Sequence, residues 1–164
     1  MRYLAKRVER ICDELYRLRI VQRIPLTDLI CKKGTYIRPE AADAATPPWT
    51  SFDSRTMHWY GPDEHYWFRT EFTVPKALNG KAMWLNVRTQ IEGDDGKNPQ
   101  FLLFVNNVPV QGMDMNHRDV LLSPKAISGE KLVFDLQAYT GTIHNEFNLF
   151  MEIQEIDPEI EALY

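Results

Sequence analysis

Apolar residues at Leu4, Val8, Ile11, Leu15 and Leu18 recur at spacings of four, three, four and three. That rhythm predicts an amphipathic helix over residues 3–22, with these five side chains on one face and charged residues, among them Arg10 and Glu14, on the other. A heptad stripe of this kind suits a partner helix, and it equally suits packing on the chain's own domain. Residues 34–50 carry Pro39, Pro47, Pro48 and four alanines, which predict a connector without a regular strand. From Trp49 onward the rhythm becomes short and β-rich. Residues 66–74 put Tyr66, Phe68, Thr70 and Phe72 on one face and Trp67, Arg69, Glu71 and Thr73 on the other. Pro75 to Gly80 makes a turn, and residues 82–87 form the next strand. Glu92-Gly93-Asp94-Asp95-Gly96 reads as a polar loop. The unbroken apolar run 101–105 fits a strand buried on both faces. Asn106-Asn107 then fits a tight hairpin, because Asn tolerates positive φ, with residues 108–111 returning. Residues 119–122, 132–136 and 148–153 add further strands. Seven or eight short strands divided by turns predict a mainly β protein, an antiparallel sandwich or jelly roll with an N-terminal amphipathic helix.

Composition fits a globular domain: 44% of the residues are hydrophobic, 26% charged and 12% aromatic. Charge is uneven. Residues 1–38 hold ten Lys or Arg against four Asp or Glu, while the remainder holds nine against nineteen. A basic arm can serve nucleic acid, but the acidic body repels phosphate, and nucleic acid is not expected as a partner. No apolar run is long enough to cross a bilayer, so no membrane partner is expected. The N-terminus does not read as a signal peptide, and a cytoplasmic, reducing location is the expectation. Cys12 and Cys31 belong to no C-x-x-C pair or zinc-spaced cluster, and whether they pair is open at this stage.

Catalytic patterns are sparse. His58, His65, His117 and His144 form no metal motif, and no nucleophile elbow or phosphate loop is present. The densest polar constellation is Gln111, Asp114, Asn116, His117 and Arg118. These side chains supply the donors and acceptors that bind sugar hydroxyls. They also suit a structural loop in which Asp114 or Asn116 caps backbone N–H groups and His117 is half-buried. Trp59 and Trp67 are candidates for an aromatic platform under a sugar ring. Trp67 sits in a predicted strand, where core is the favoured reading.

Read in order, Trp59-Tyr60-Gly61-Pro62-Asp63-Glu64-His65-Tyr66-Trp67-Phe68-Arg69, Leu103-Phe104-Val105-Asn106-Asn107, Gln111 through Val120, and Ala138-Tyr139-Thr140-Gly141 resemble the N-terminal region of cytosolic and vacuolar-type α-mannosidases of glycoside hydrolase family 38. The Asn-Asn turn departs from the more usual Asn-Gly. The resemblance implies a galactose-binding-like jelly roll from a multidomain retaining exo-α-mannosidase. Its separate catalytic domain would carry zinc held by His and Asp, and an Asp nucleophile. None of those motifs lies in this chain, so no catalytic residue, metal ligand or cofactor is expected here. The implied division is residues 1–48 as helix and connector and 49–156 as sandwich. Residues 157–164 would begin a truncated linker helix, since Asp157-Pro158 is a good helix start. The implied role is accessory: packing on the missing catalytic domain and shaping its active-site entrance, with the 111–119 loop facing that domain. Two other roles stay open: a carbohydrate-binding module taking an α-mannoside, and an assembly domain forming a homo-oligomer through the helix of 3–22.

Overall fold

A computed structural model of the chain describes residues 2–89, 99–144 and 146–163; the expected loop at Glu92–Gly96 lies outside the described residues. The elements in order are α1 (Arg2–Leu18), β1 (Ile20–Leu26), β2 (Asp28–Lys33), α2 (Pro39–Ala44), β3 (Thr50–Asp53), β4 (Trp59–Tyr60), β5 (His65–Thr73), β6 (Met83–Arg88), β7 (Gln100–Val105), β8 (Val108–Met113), β9 (Asp119–Ser123), β10 (Lys131–Tyr139), β11 (Glu146–Phe147), β12 (Phe150–Ile156) and α3 (Pro158–Glu161). The strands form a four-stranded sheet, β1-β12-β6-β9, a six-stranded sheet, β3-β2-β5-β10-β7-β8, and a two-stranded pair, β11-β4. Neighbouring strands in both sheets pair antiparallel. The mainly β antiparallel sandwich with an N-terminal helix, expected from the sequence, is the observed fold.

Period-two patterning builds the core between the sheets. Leu29, Phe68, Leu103, Phe134 and Leu136 point in from the six-stranded sheet, and Leu85, Val87, Val120, Met151 and Ile153 point in from the other, all buried. Residues 66–74 divide between faces as predicted: Phe68 joins this core, while Trp67 joins a second cluster with Ala42 and Phe104 on the outer side of the same sheet.

Two sequence expectations are corrected. The first helix ends at Leu18, not residue 22, because Ile20, Val21 and Ile24 are β-branched and the chain from Ile20 hydrogen-bonds to β12 instead of continuing the helix. The sandwich therefore starts at Ile20 and not at Trp49. β2 is an interior strand of the large sheet, pairing with β3 through Leu29–Phe52 and with β5 through Cys31–Phe68. Cys12 and Cys31 are free thiols.

The connector is folded, not loose. Pro39 opens the six-residue α2, as its fixed φ favours. A buried Lys32 reaches across from β2 and donates from Nζ to the carbonyls of Ala42 and Ala45, with the rings of Tyr36 and Trp49 beside it. Next to it Arg69 donates from Nε to Asp135, at 2.6 Å, and from Nη1 to Asp43, at 2.6 Å, while its guanidinium lies 4.7 Å from the centroid of the Trp49 ring. These two cations fasten the Pro/Ala segment over the outer face of the sheet.

The Asn106-Asn107 turn is tight, with φ of 51° and 66°. Asn106 anchors it: its Oδ1 accepts from the Val133 N–H at 2.9 Å, tying the hairpin tip to β10. Asn107 holds a left-handed backbone that glycine adopts without a Cβ clash. Asn107→Gly should therefore raise the urea midpoint slightly, and Asn107→Val should lower stability by about 1–2 kcal/mol.

Candidate functional site

The loop after β8 carries the chain from the edge of the six-stranded sheet to β9 at the edge of the four-stranded one. Asp114 shapes it. Its Oδ1 accepts from the backbone N–H of Asn116 and of His117, each at 2.8 Å, and meets His117 Nδ1 at 3.0 Å. The Asn116 N–H, with support from His117, holds the Asp114 carboxyl below the usual carboxylate range. Arg118 donates from Nε to the Met115 carbonyl, and its own carbonyl accepts from the Val87 N–H at 3.0 Å. Asp114 thus has the capping role weighed for it above. His117 is exposed, not half-buried, because the turn swings its ring outward. Asn116 is exposed and Arg118 half-buried; Gln111 lies within β8, opposite Leu103 and half-buried.

Sequence reasoning missed Arg19, which it placed inside a helix. Arg19 is buried and donates from Nη2 to Asp119 at 2.8 Å and from Nη1 to Glu161 at 2.7 Å, with its guanidinium 4.3 Å from the Tyr16 ring centroid. Burial works to lower the guanidinium pKa, but the hydrogen bonds to Glu161 and Asp119 outweigh it and raise it. Asp119 also accepts from Asn86 Nδ2 at 2.6 Å. Arg19 thereby gathers the end of α1, the start of β9 and the α3 turn at one corner. There Tyr16, Arg19, Met115, Asn116, Arg118 and Asp119 line a cleft of about 470 Å³.

A larger groove, about 790 Å³, lies over the four-stranded sheet beside α3. Half-buried Trp84 and exposed Val21 and Leu121 contribute apolar surface, and Lys81 pairs with Glu155 at 2.9 Å along its wall. Trp84 is the second residue the sequence did not single out; its signal was an indole opposite the apolar Met83 and Leu85 in an alternating strand.

Neither tryptophan proposed as a sugar platform is available. Trp59 is 1% exposed, because β4 pairs with β11 and closes Phe147 over the ring at 4.7 Å, and its Nε1 donates to the Asn148 carbonyl at 3.2 Å. Trp67 is 0% exposed, since the folded connector covers its face of the sheet. Trp59 and the 114–118 loop therefore share no open surface. Two of the segments that carried the family resemblance do meet: the Asp63 N–H donates to the Gly141 carbonyl at 2.7 Å, the Thr140 N–H to the Glu64 carbonyl at 3.0 Å, and His65 stacks on Tyr139. Asp157 caps α3 as its sequence predicted, accepting from the N–H groups of Glu159 and Ile160. Among the described residues no cluster of three or more His, Cys, Asp or Glu is placed to hold a metal ion.

No protein-family model matches the sequence, and no curated protein does. Solved structures do match in fold. A β-glucuronidase from Ruminococcus gnavus in complex with D-glucaro-d-lactam superposes with a TM-score of 0.55 at 11% identity, over 84% of this chain and 30% of that one. The same enzyme with D-glucaro 1,5-lactone gives 0.54 at 12%, and its structure without a named ligand gives 0.53 at 12% over 82% and 29%. The chain thus spans about 30% of the length of these glycosidase chains. At this identity the likeness shows the fold: a β-domain of the kind found in a glycoside hydrolase.

Proposed function

We propose that the chain is a non-catalytic accessory domain of a glycoside hydrolase, and more narrowly of a family 38 α-mannosidase. The supporting observation is the superposition of most of the chain on less than a third of a glycosidase. The motifs resembling family 38 supply the narrower reading. In it the catalytic part, with its zinc, is a separate domain, and this one packs against it and shapes its entrance. Arg19 sets the 114–119 loop beside α3, so a polypeptide continuing from α3 would emerge next to that loop. That corner is the proposed interdomain face.

The isolated chain should leave aryl α-mannosides and aryl β-glucuronides unhydrolysed. Mannoside turnover abolished by a chelator would refute the accessory role. In the joined enzyme, His117→Ala should raise KM or weaken domain docking without moving the stability of the sandwich, because its ring is exposed. An unchanged KM and unchanged docking would remove the loop from the interface. Calorimetric titration with mannose should be silent, since Trp59 and Trp67 have no open face; measurable heat would favour the carbohydrate-binding module.

A further inference from the structure

We infer that α1 is a self-association helix, and that two copies of this chain pair through it in antiparallel orientation. This goes beyond the accessory role above and does not depend on it. The helix touches its own body along one flank near its C-terminal end, where Cys12, Leu15 and Tyr16 are half-buried and Arg19 is buried. Its apolar stripe is left open: Leu4, Val8, Ile11 and Leu18 are 68%, 52%, 54% and 58% exposed. A helix of this length held only at one end is marginal in water without a covered face.

The shape of the stripe selects the occupant. At about 100° per residue, the five positions fall within an arc of about 80°. That is the narrow seam of a coiled coil; a globular surface is met by a wider face. A membrane surface is disfavoured, because Glu9, Asp13 and Glu14 interrupt the basic residues on the polar side. Among the described helices α2 and α3 span only six and four residues, so the helix with a matching seam is α1 of another copy.

Charge selects the orientation. Arg7 and Glu14 lie one heptad apart on the flank away from the body, next to the seam. In an antiparallel pair Arg7 of one copy meets Glu14 of the other, twice by symmetry. A parallel pair puts Arg7 opposite Cys12, and Glu14 opposite an Arg19 already held by Asp119 and Glu161.

Sedimentation of the whole chain over a wide concentration range should show a monomer–dimer equilibrium. Ile11→Asp should weaken association roughly a hundredfold, since each dimer would bury two charges, with the β circular dichroism and the urea midpoint unchanged. Arg7→Glu should weaken it several-fold, and adding Glu14→Arg should restore it. A wild-type chain that stays monomeric throughout overturns the proposal; this is the outcome if the stripe covers another domain. An intact Ile11→Asp dimer also overturns it, as does an Ile11→Asp chain whose sandwich unfolds. Failure of the double reversal to restore association overturns the antiparallel pairing.

Discussion

Arg69→Leu should destabilise the chain by about 3–5 kcal/mol, because it strands a buried carboxylate. Asp135 is fully buried in the middle of β10. The register places it opposite Arg69, whose Nε–H donates to its Oδ1; Oδ2 finds no partner among the described residues. Burial pushes the Asp135 carboxyl above the usual carboxylate range, and Arg69 pulls against that rise. The sign of the pH effect follows. A carboxyl whose folded pKa lies above its unfolded value favours the native state when protonated, so its contribution falls as pH rises through that range. Loss of Arg69 raises it further. The stability gap between wild type and Arg69→Leu, measured by urea unfolding, should therefore be largest at mildly alkaline pH and narrow on acidification. Arg69→Leu with Asp135→Leu should recover most of the loss, since an apolar pair leaves no charge to desolvate. A gap that does not change with pH would show that Asp135 is not the group left stranded.

Trp59→Ala should be comparably severe, about 3–5 kcal/mol. The ring is enclosed by Phe68, Phe101 and Phe147, with centroids at 5.6, 5.7 and 4.7 Å, so its removal opens a cavity that rigid aromatic neighbours cannot collapse into. Trp59→Phe should cost less, forfeiting the bond to the Asn148 carbonyl and part of the volume. Thermal unfolding followed by near-ultraviolet circular dichroism measures both. An unchanged midpoint in Trp59→Ala would mean that the ring is not core.

What could be read in the sequence was local. The alternation of residues 66–74, the apolar run at 101–105, the Asn-Asn hairpin and the Asp157 cap are written in neighbouring residues, and each forms as expected. β1 was lost because no Gly or Pro stands between Leu18 and Pro25 to end the helix locally, and only pairing with β12, far along the chain, decides for strand. β2 was lost because Lys32 reads as a surface residue until α2 folds over it. The candidate site failed for the same reason. Arg19 acts through partners 100 and 142 residues away, and the burial of Trp59 depends on β11, a strand of two residues with no periodic signal. Asp114 needed only its own turn, and its capping role was among the readings its sequence allowed.

The pairing of Ile20 with Ile156 places the start of β1 and the end of β12 at the same corner. Tension applied between α1 and α3 would therefore load that ladder from its open end, parting one residue pair after another instead of shearing all of them together. The Arg19 bridge to Glu161 sits at the mouth of this zipper and is the first contact such a force would meet.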